Sequence, residues 1–116
     1  MTKEFIDYIE DIIQAMNDAL AFVKNMDYDV FVKDTKTTYA VIRALEIIGE
    51  ATKKVPSSAK SEYSQIPWKK MAGMRDKVIH EYFGVDLKRV WNTVNNDLPA
   101  LKPLFEKMIQ ENRKIS

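Results

Sequence analysis

The segment Arg75-Asp76-Lys77-Val78-Ile79-His80-Glu81-Tyr82 contains the chain's single histidine. At ~100° per residue, Trp68, Met71, Val78, Ile79 and Tyr82 fall within about 60° of Arg75. The arginine therefore shares a helix face with apolar residues, where a guanidinium is rarely found without a partner. His80 falls ~140° further round, with Lys69, Gly73, Asp76 and Lys77. A neutral imidazole can accept or donate a proton near neutral pH, and an arginine fork matches phosphate oxygens. Together they suffice for metal-free RNA cleavage. A base removes the ribose 2′-hydroxyl proton, the oxygen attacks the adjacent phosphorus, and a fixed cation stabilises charge on the phosphoryl oxygens. Asp76, one turn before His80, is placed to orient the imidazole or support its protonated form. Gly73 would let a strand approach closely, and Lys69 and Lys77 are candidate RNA contacts.

Each of these residues also has a purely structural reading. A lone histidine on the polar side of a helix is commonly an ordinary surface residue. Arg75 could pair with Glu46 or Glu50, Tyr82 could be a core aromatic with a bonded hydroxyl, and Asp76 could simply be an i, i+4 partner for His80. Other chemistries have less to stand on. Without cysteine there is no thiol catalysis, disulfide or cysteine-ligated metal. With one histidine and no recognisable carboxylate–histidine pattern, no metal site or cofactor is expected. No Gly-rich phosphate loop, nucleophile elbow or dinucleotide fingerprint is present.

The chain of 116 residues, 46% hydrophobic and 30% charged, fits one domain over 1–116 with a single packed core. No apolar run reaches the roughly 18 to 20 residues of a membrane span, and the acidic start is unlike a secretory signal, so a cytoplasmic protein is expected. The net charge of +1 hides a polarity. Residues 1–50 carry five Lys/Arg against ten Asp/Glu, and residues 51–90 carry nine against four. The basic block surrounds Arg75 and His80, which suits an anionic ligand.

These residues have to be positioned by helices. Phe5, Ile9, Ile12, Met16, Leu20 and Val23 recur at spacings of three and four, predicting a helix over about 3–25. Asn25-Met26-Asp27 closes it, and 28–34 is a connection or the start of the next helix. That next helix, near 34–54, is apolar over most of its circumference and is expected to be central. Arg43, Glu46, Glu50 and Lys53 form its one polar stripe, either a solvent face or one wall of a site. Residues 54–66 read as a loop with one short helix after Ser57 or Ser58. Pro67 suits the first turn of a helix running to Phe83, with Gly84 as its stop and Asp86 as the next N-cap. Apolar spacing then continues from Leu87 to Ile109. Pro99 and Pro103 intrude, so this segment either kinks near Asn96 and Asp97 or restarts there. The expected architecture is an all-α, up-and-down bundle of four to five helices.

Arg75, His80 and Tyr82 form R-x4-H-x-Y, with the polar Asp76 after the arginine, and the chain resembles the HepT-like toxins of the HEPN superfamily. The likeness extends to 44–51, to Ile66-Pro67-Trp68, to Val90-Trp91, and to 97–101. The resemblance implies a HEPN-like helical domain that forms a homodimer, with Arg and His of both chains lining one cleft. It also implies metal-independent endoribonuclease activity and a minimal nucleotidyltransferase antitoxin that silences the toxin by adding AMP to the motif tyrosine. Carried over to this chain, Arg75 and His80 are catalytic, Asp76 supports them and Tyr82 is the adenylylation site. Some members of the broad superfamily lack nuclease activity, so a non-catalytic nucleotide-binding or protein-interaction module is the competing expectation.

Overall fold

In the computed structural model of the chain, the described residues are 5–80 and 86–113, with the backbone alone described over 75–80. The apolar stripe of α1 (Phe5–Phe22) turns inward, and Ile9, Ile12, Met16 and Ala19 lose all solvent contact. The helix stops three residues short of the expected end. Asn25 then takes a left-handed conformation, φ 65°, which asparagine tolerates better than most side chains. The connection that follows is itself helical. The Asp27 carboxylate accepts from Val30 N at 2.9 Å and caps α2 (Tyr28–Lys33).

Asp34 ends α2 and begins α3 (Thr35–Lys54). Its carboxylate accepts from Thr37 N at 3.1 Å, and that backbone bond holds the Asp34 carboxyl below its ordinary pKa. The near-continuous apolar surface of α3 is explained by its neighbours: it packs against α1 on one side and α5 (Trp68–His80) on the other. Val41 and Ile48 are fully buried and Leu45 and Ala44 nearly so. Thr52, also fully buried, donates its hydroxyl to Ile48 O at 2.7 Å, so no polar group is left unsatisfied there. Between α3 and α5 lies the expected short helix, α4 (Ser57–Glu62).

Asp86 is the N-cap foreseen in the sequence. Its side chain accepts from Arg89 N at 3.1 Å and opens α6 (Leu87–Asn92). The two prolines neither break the segment nor start a new helix behind a cap. Instead α6 passes through a π turn over Thr93–Asp97 into α7 (Leu98–Arg113). In the widened turn, Leu98 N–H donates to Thr93 O, five residues back. Pro99 has no amide proton for the carbonyl of Asn95, and the wide turn ends at Asp97, two residues before it. Pro103 is carried inside α7.

Four long bodies thus make up the described bundle: α1, α3, α5 and the rod formed by α6, the π turn and α7, with α2 and α4 as helical connections. Among the described residues there is no strand and no helix long and apolar enough to cross a membrane. Val94, Leu98, Phe105 and Met108 bring the rod into the core, where all four are fully buried. Phe105 meets the ring of Trp68 edge-on, with centroids 5.6 Å apart. Phe105→Ala should lower unfolding free energy by about 3 to 5 kcal/mol, measured by urea titration; a loss under 1 kcal/mol would mean the site collapses around the gap.

Candidate active site

The helix that carries the candidate residues is anchored at its first residue. Pro67 directly precedes Trp68, and its carbonyl accepts from Met71 N at 3.0 Å, so the residue without an amide proton sits where none is needed. Trp68 is 9% exposed and donates its indole N–H to Tyr63 O at 3.0 Å. The Tyr63 hydroxyl accepts in turn from Asn112 Nδ2 of α7, at 3.1 Å. Burial pushes the Tyr63 phenol above its ordinary pKa, so it stays neutral and keeps its place in this link. Tyr63, Trp68, Phe105 and Asn112 together fix where α5 begins and how it lies against α7.

From there the helical register follows the sequence reading. Met71 is fully buried and Met74 is 8% exposed, whereas Lys69 and Lys70 face solvent. Gly73 lies half-buried on the same side as Lys69, away from Met71, and a Cβ built on it meets no described atom within 4 Å. The positions of Arg75, Asp76, Lys77 and His80 all fall on α5. At ~100° per residue, Arg75 continues the register of Trp68 and Met71, and His80 that of Lys69 and Gly73. The side chains of Arg75, Asp76, Lys77 and His80, and the whole of Tyr82, lie outside the described residues.

Two neighbouring groups complete the surroundings. On α3, Arg43 Nη1 stands 3.4 Å from Glu46 and 3.3 Å from Glu50, and its side chain is 58% exposed. These pairs are exposed on the arginine side and worth little to stability, while the alternative pairing of Arg75 with Glu46 or Glu50 lies outside the described residues. On the rod, Asp97 at the end of the π turn lies 4.0 Å from Lys70 Nζ of α5. Among the described residues there is no group of three or more His, Cys, Asp or Glu arranged to hold a metal ion.

Sequence reasoning missed one feature nearby. Tyr28 and Phe31 of α2 pack against Trp91 of α6, with centroids 6.2 and 5.1 Å away, and Lys88 Nζ lies 4.3 Å from the Tyr28 centroid. The signal available was the run Lys88-Arg89 two residues before a tryptophan, hidden because Trp91 fits the apolar spacing of its helix.

The architecture is an all-α bundle of the HEPN kind, with R-x4-H spaced along one of its four long helices. The sequence profile of the ribonuclease HepT-like family matches residues 9–108. The chain is 49% identical over 108 residues to a probable ribonuclease HepT of Thermococcus cleftensis, covering 93% of this chain and 98% of that one. It is 47% identical over 104 residues to a candidate RNase of Methanocaldococcus jannaschii, covering 90% and 86%. A candidate RNase of Caldanaerobacter subterraneus is 42% identical over 106 residues, covering 91% and 95%. This chain belongs to the ribonuclease HepT-like family. No solved structure matches it.

The anchoring of α5 can be tested apart from the chemistry. Trp68→Phe keeps an aromatic ring but removes the indole donor, so the Tyr63 carbonyl retains only its bond from Ile66 N. Thermal and urea unfolding should show a loss of about 0.5 to 1.5 kcal/mol. Unchanged stability would mean that the ring alone anchors the helix.

Proposed function

We propose that this protein is a metal-independent endoribonuclease and the toxin of a toxin–antitoxin pair. The observation that carries the reading is the placement of R-x4-H on α5, in a chain of the HepT-like family whose relatives bear ribonuclease names. The helix is buried at Trp68 and Met71, exposed at Lys69 and half-buried at Gly73, which suits a site with one side fixed in protein and the other facing a ligand.

In the proposed reaction, His80 takes the proton of a ribose 2′-hydroxyl. The freed oxygen attacks the neighbouring phosphorus, and the bond to the 5′-oxygen breaks. Proton return to that oxygen leaves a 2′,3′-cyclic phosphate on one fragment and a 5′-hydroxyl on the other, with no redox partner or external nucleophile required. Arg75 stabilises the charge that builds on the phosphoryl oxygens, and Asp76 orients the imidazole. Lys69 and Lys77 hold flanking phosphates. The ~140° between Arg75 and His80 suits a homodimer in which a second chain supplies the opposite wall of the cleft. One cytoplasmic domain over 1–116 carries this activity without a cofactor.

Silencing in this reading comes from a minimal nucleotidyltransferase antitoxin. The Tyr82 hydroxyl attacks the α-phosphorus of ATP, pyrophosphate leaves, and AMP remains on the tyrosine two positions after the catalytic histidine in sequence. The added phosphate and adenine would occupy the space the substrate needs.

His80→Ala should abolish cleavage of single-stranded RNA, with helicity and oligomer size unchanged, in an assay containing chelator throughout; full activity in the variant removes the catalytic role. Incubation with ATP and the nucleotidyltransferase should add one AMP mass to the wild type and none to Tyr82→Phe. Modification of the Phe variant would place the acceptor elsewhere.

A further inference from the structure

The chain has two tryptophans, and the structure treats them differently. Trp68 is buried with its indole N–H bonded to Tyr63 O. Trp91 is half-buried and, among the described residues, its indole N–H finds no acceptor. Its ring system packs against Phe31 and, edge to face, with Tyr28, while part of it stays in water. A partly exposed indole whose donor has no acceptor among the described residues offers a π-face and a hydrogen-bond donor to a ligand.

Lys88 presents a matching anomaly. Its ammonium lies over the Tyr28 ring, and among the described residues it makes no ion pair with a carboxylate. The nearest helix-capping carboxylates are occupied: Asp27 accepts from Val30 N, and Asp86 from Arg89 N. Arg89 and Asn92, both exposed, lie one residue to either side of Val90 and Trp91 on the same short helix. In the π turn Asn95 gives its amide N–H to Trp91 O, at 2.9 Å, which leaves its side-chain oxygen as an acceptor, while Asn96 is exposed.

We propose that Lys88, Arg89 and Trp91 form a binding track for single-stranded RNA that leads into the active site. A base stacks on the open part of Trp91, and the flanking phosphates meet Lys88 and Arg89. Aromatic platforms beside cations are the usual means of holding single strands with little sequence preference. A duplex does not offer its base faces for this purpose. The track is close to the proposed chemistry on two counts. Five residues lie between His80 and Asp86, so six Cα–Cα steps span no more than about 22 Å. Independently, the Lys70–Asp97 pair joins α5 to the rod that carries Trp91. The proposal rests on the ribonuclease reading above and names where its substrate is held outside the cleft.

Binding is measured with a fluorescein-labelled single-stranded RNA of about a dozen nucleotides, and with the same RNA annealed to its complement, in the His80→Ala background so that nothing is cut. Lys88→Gln/Arg89→Gln, with helicity and melting checked against the parent, should weaken single-strand binding roughly ten-fold at low salt. It should also reduce the slope of log affinity against log salt by about one to two. RNA should quench the tryptophan emission of the parent, and the quench should vanish in Trp91→Phe, where only the buried Trp68 remains. Unchanged affinity in the double variant, a quench that survives Trp91→Phe, or equal binding of the duplex would overturn the track. A cleavage assay with His80 intact separates the two readings. If the protein cleaves RNA and Lys88→Gln/Arg89→Gln cleaves it with unchanged KM, the track is wrong and the nuclease stands. If the protein neither binds nor cleaves RNA, both fall.

Discussion

The indole of Trp68 is the constraint on which the arrangement of the site depends. Its ring is wedged edge-on against Phe105 of α7, and its N–H is tied to the carbonyl of Tyr63 before the helix begins. A buried ring can be accommodated in several ways, but a buried ring with an obligatory hydrogen bond has one orientation. That orientation sets the rotation of α5 about its own axis. Rotation in turn decides which positions face the core and which face ligand, so R-x4-H would lose its meaning if the first turn were free to roll.

Much of this was legible in the amino-acid sequence because it depends on local physical rules. The all-round apolar surface of residues 34–54 announced a helix enclosed by others, and α3 lies between α1 and α5. Asp86 was readable as a cap, and its carboxylate does accept from Arg89 N. The register of α5 was readable over 68–74, where Trp68, Met71 and Met74 are buried and Lys69 and Lys70 exposed. Only part of the proposed site could be read in this way. Periodicity places Arg75 and His80 on one helix; it cannot supply the second chain that the proposed shared cleft would require.

What the sequence concealed has a physical cause in each case. Residues 28–33 are too few for periodicity to declare a helix, and two aspartate caps decide the matter instead. Tyr63 looked like a residue in a loop, yet it links α7 to the start of α5 through its hydroxyl and its carbonyl. The aromatic group around Trp91 joins residues some sixty positions apart in the chain, a pairing that no local pattern encodes.

The π turn at Thr93–Asp97 has a consequence for how the two ends of the rod are related. One extra residue in a helical turn advances the angular phase by ~100° relative to an uninterrupted α-helix. The buried face of α7 and the face of α6 that meets α2 are therefore aligned to different neighbours along one continuous backbone. The turn works as a fixed angular offset. Deleting a single residue there would restore regular hydrogen bonding and at the same time swing Trp91 and Lys88 away from Tyr28 and Phe31. The length of this segment, more than the identity of its side chains, is what sets the direction in which α6 faces.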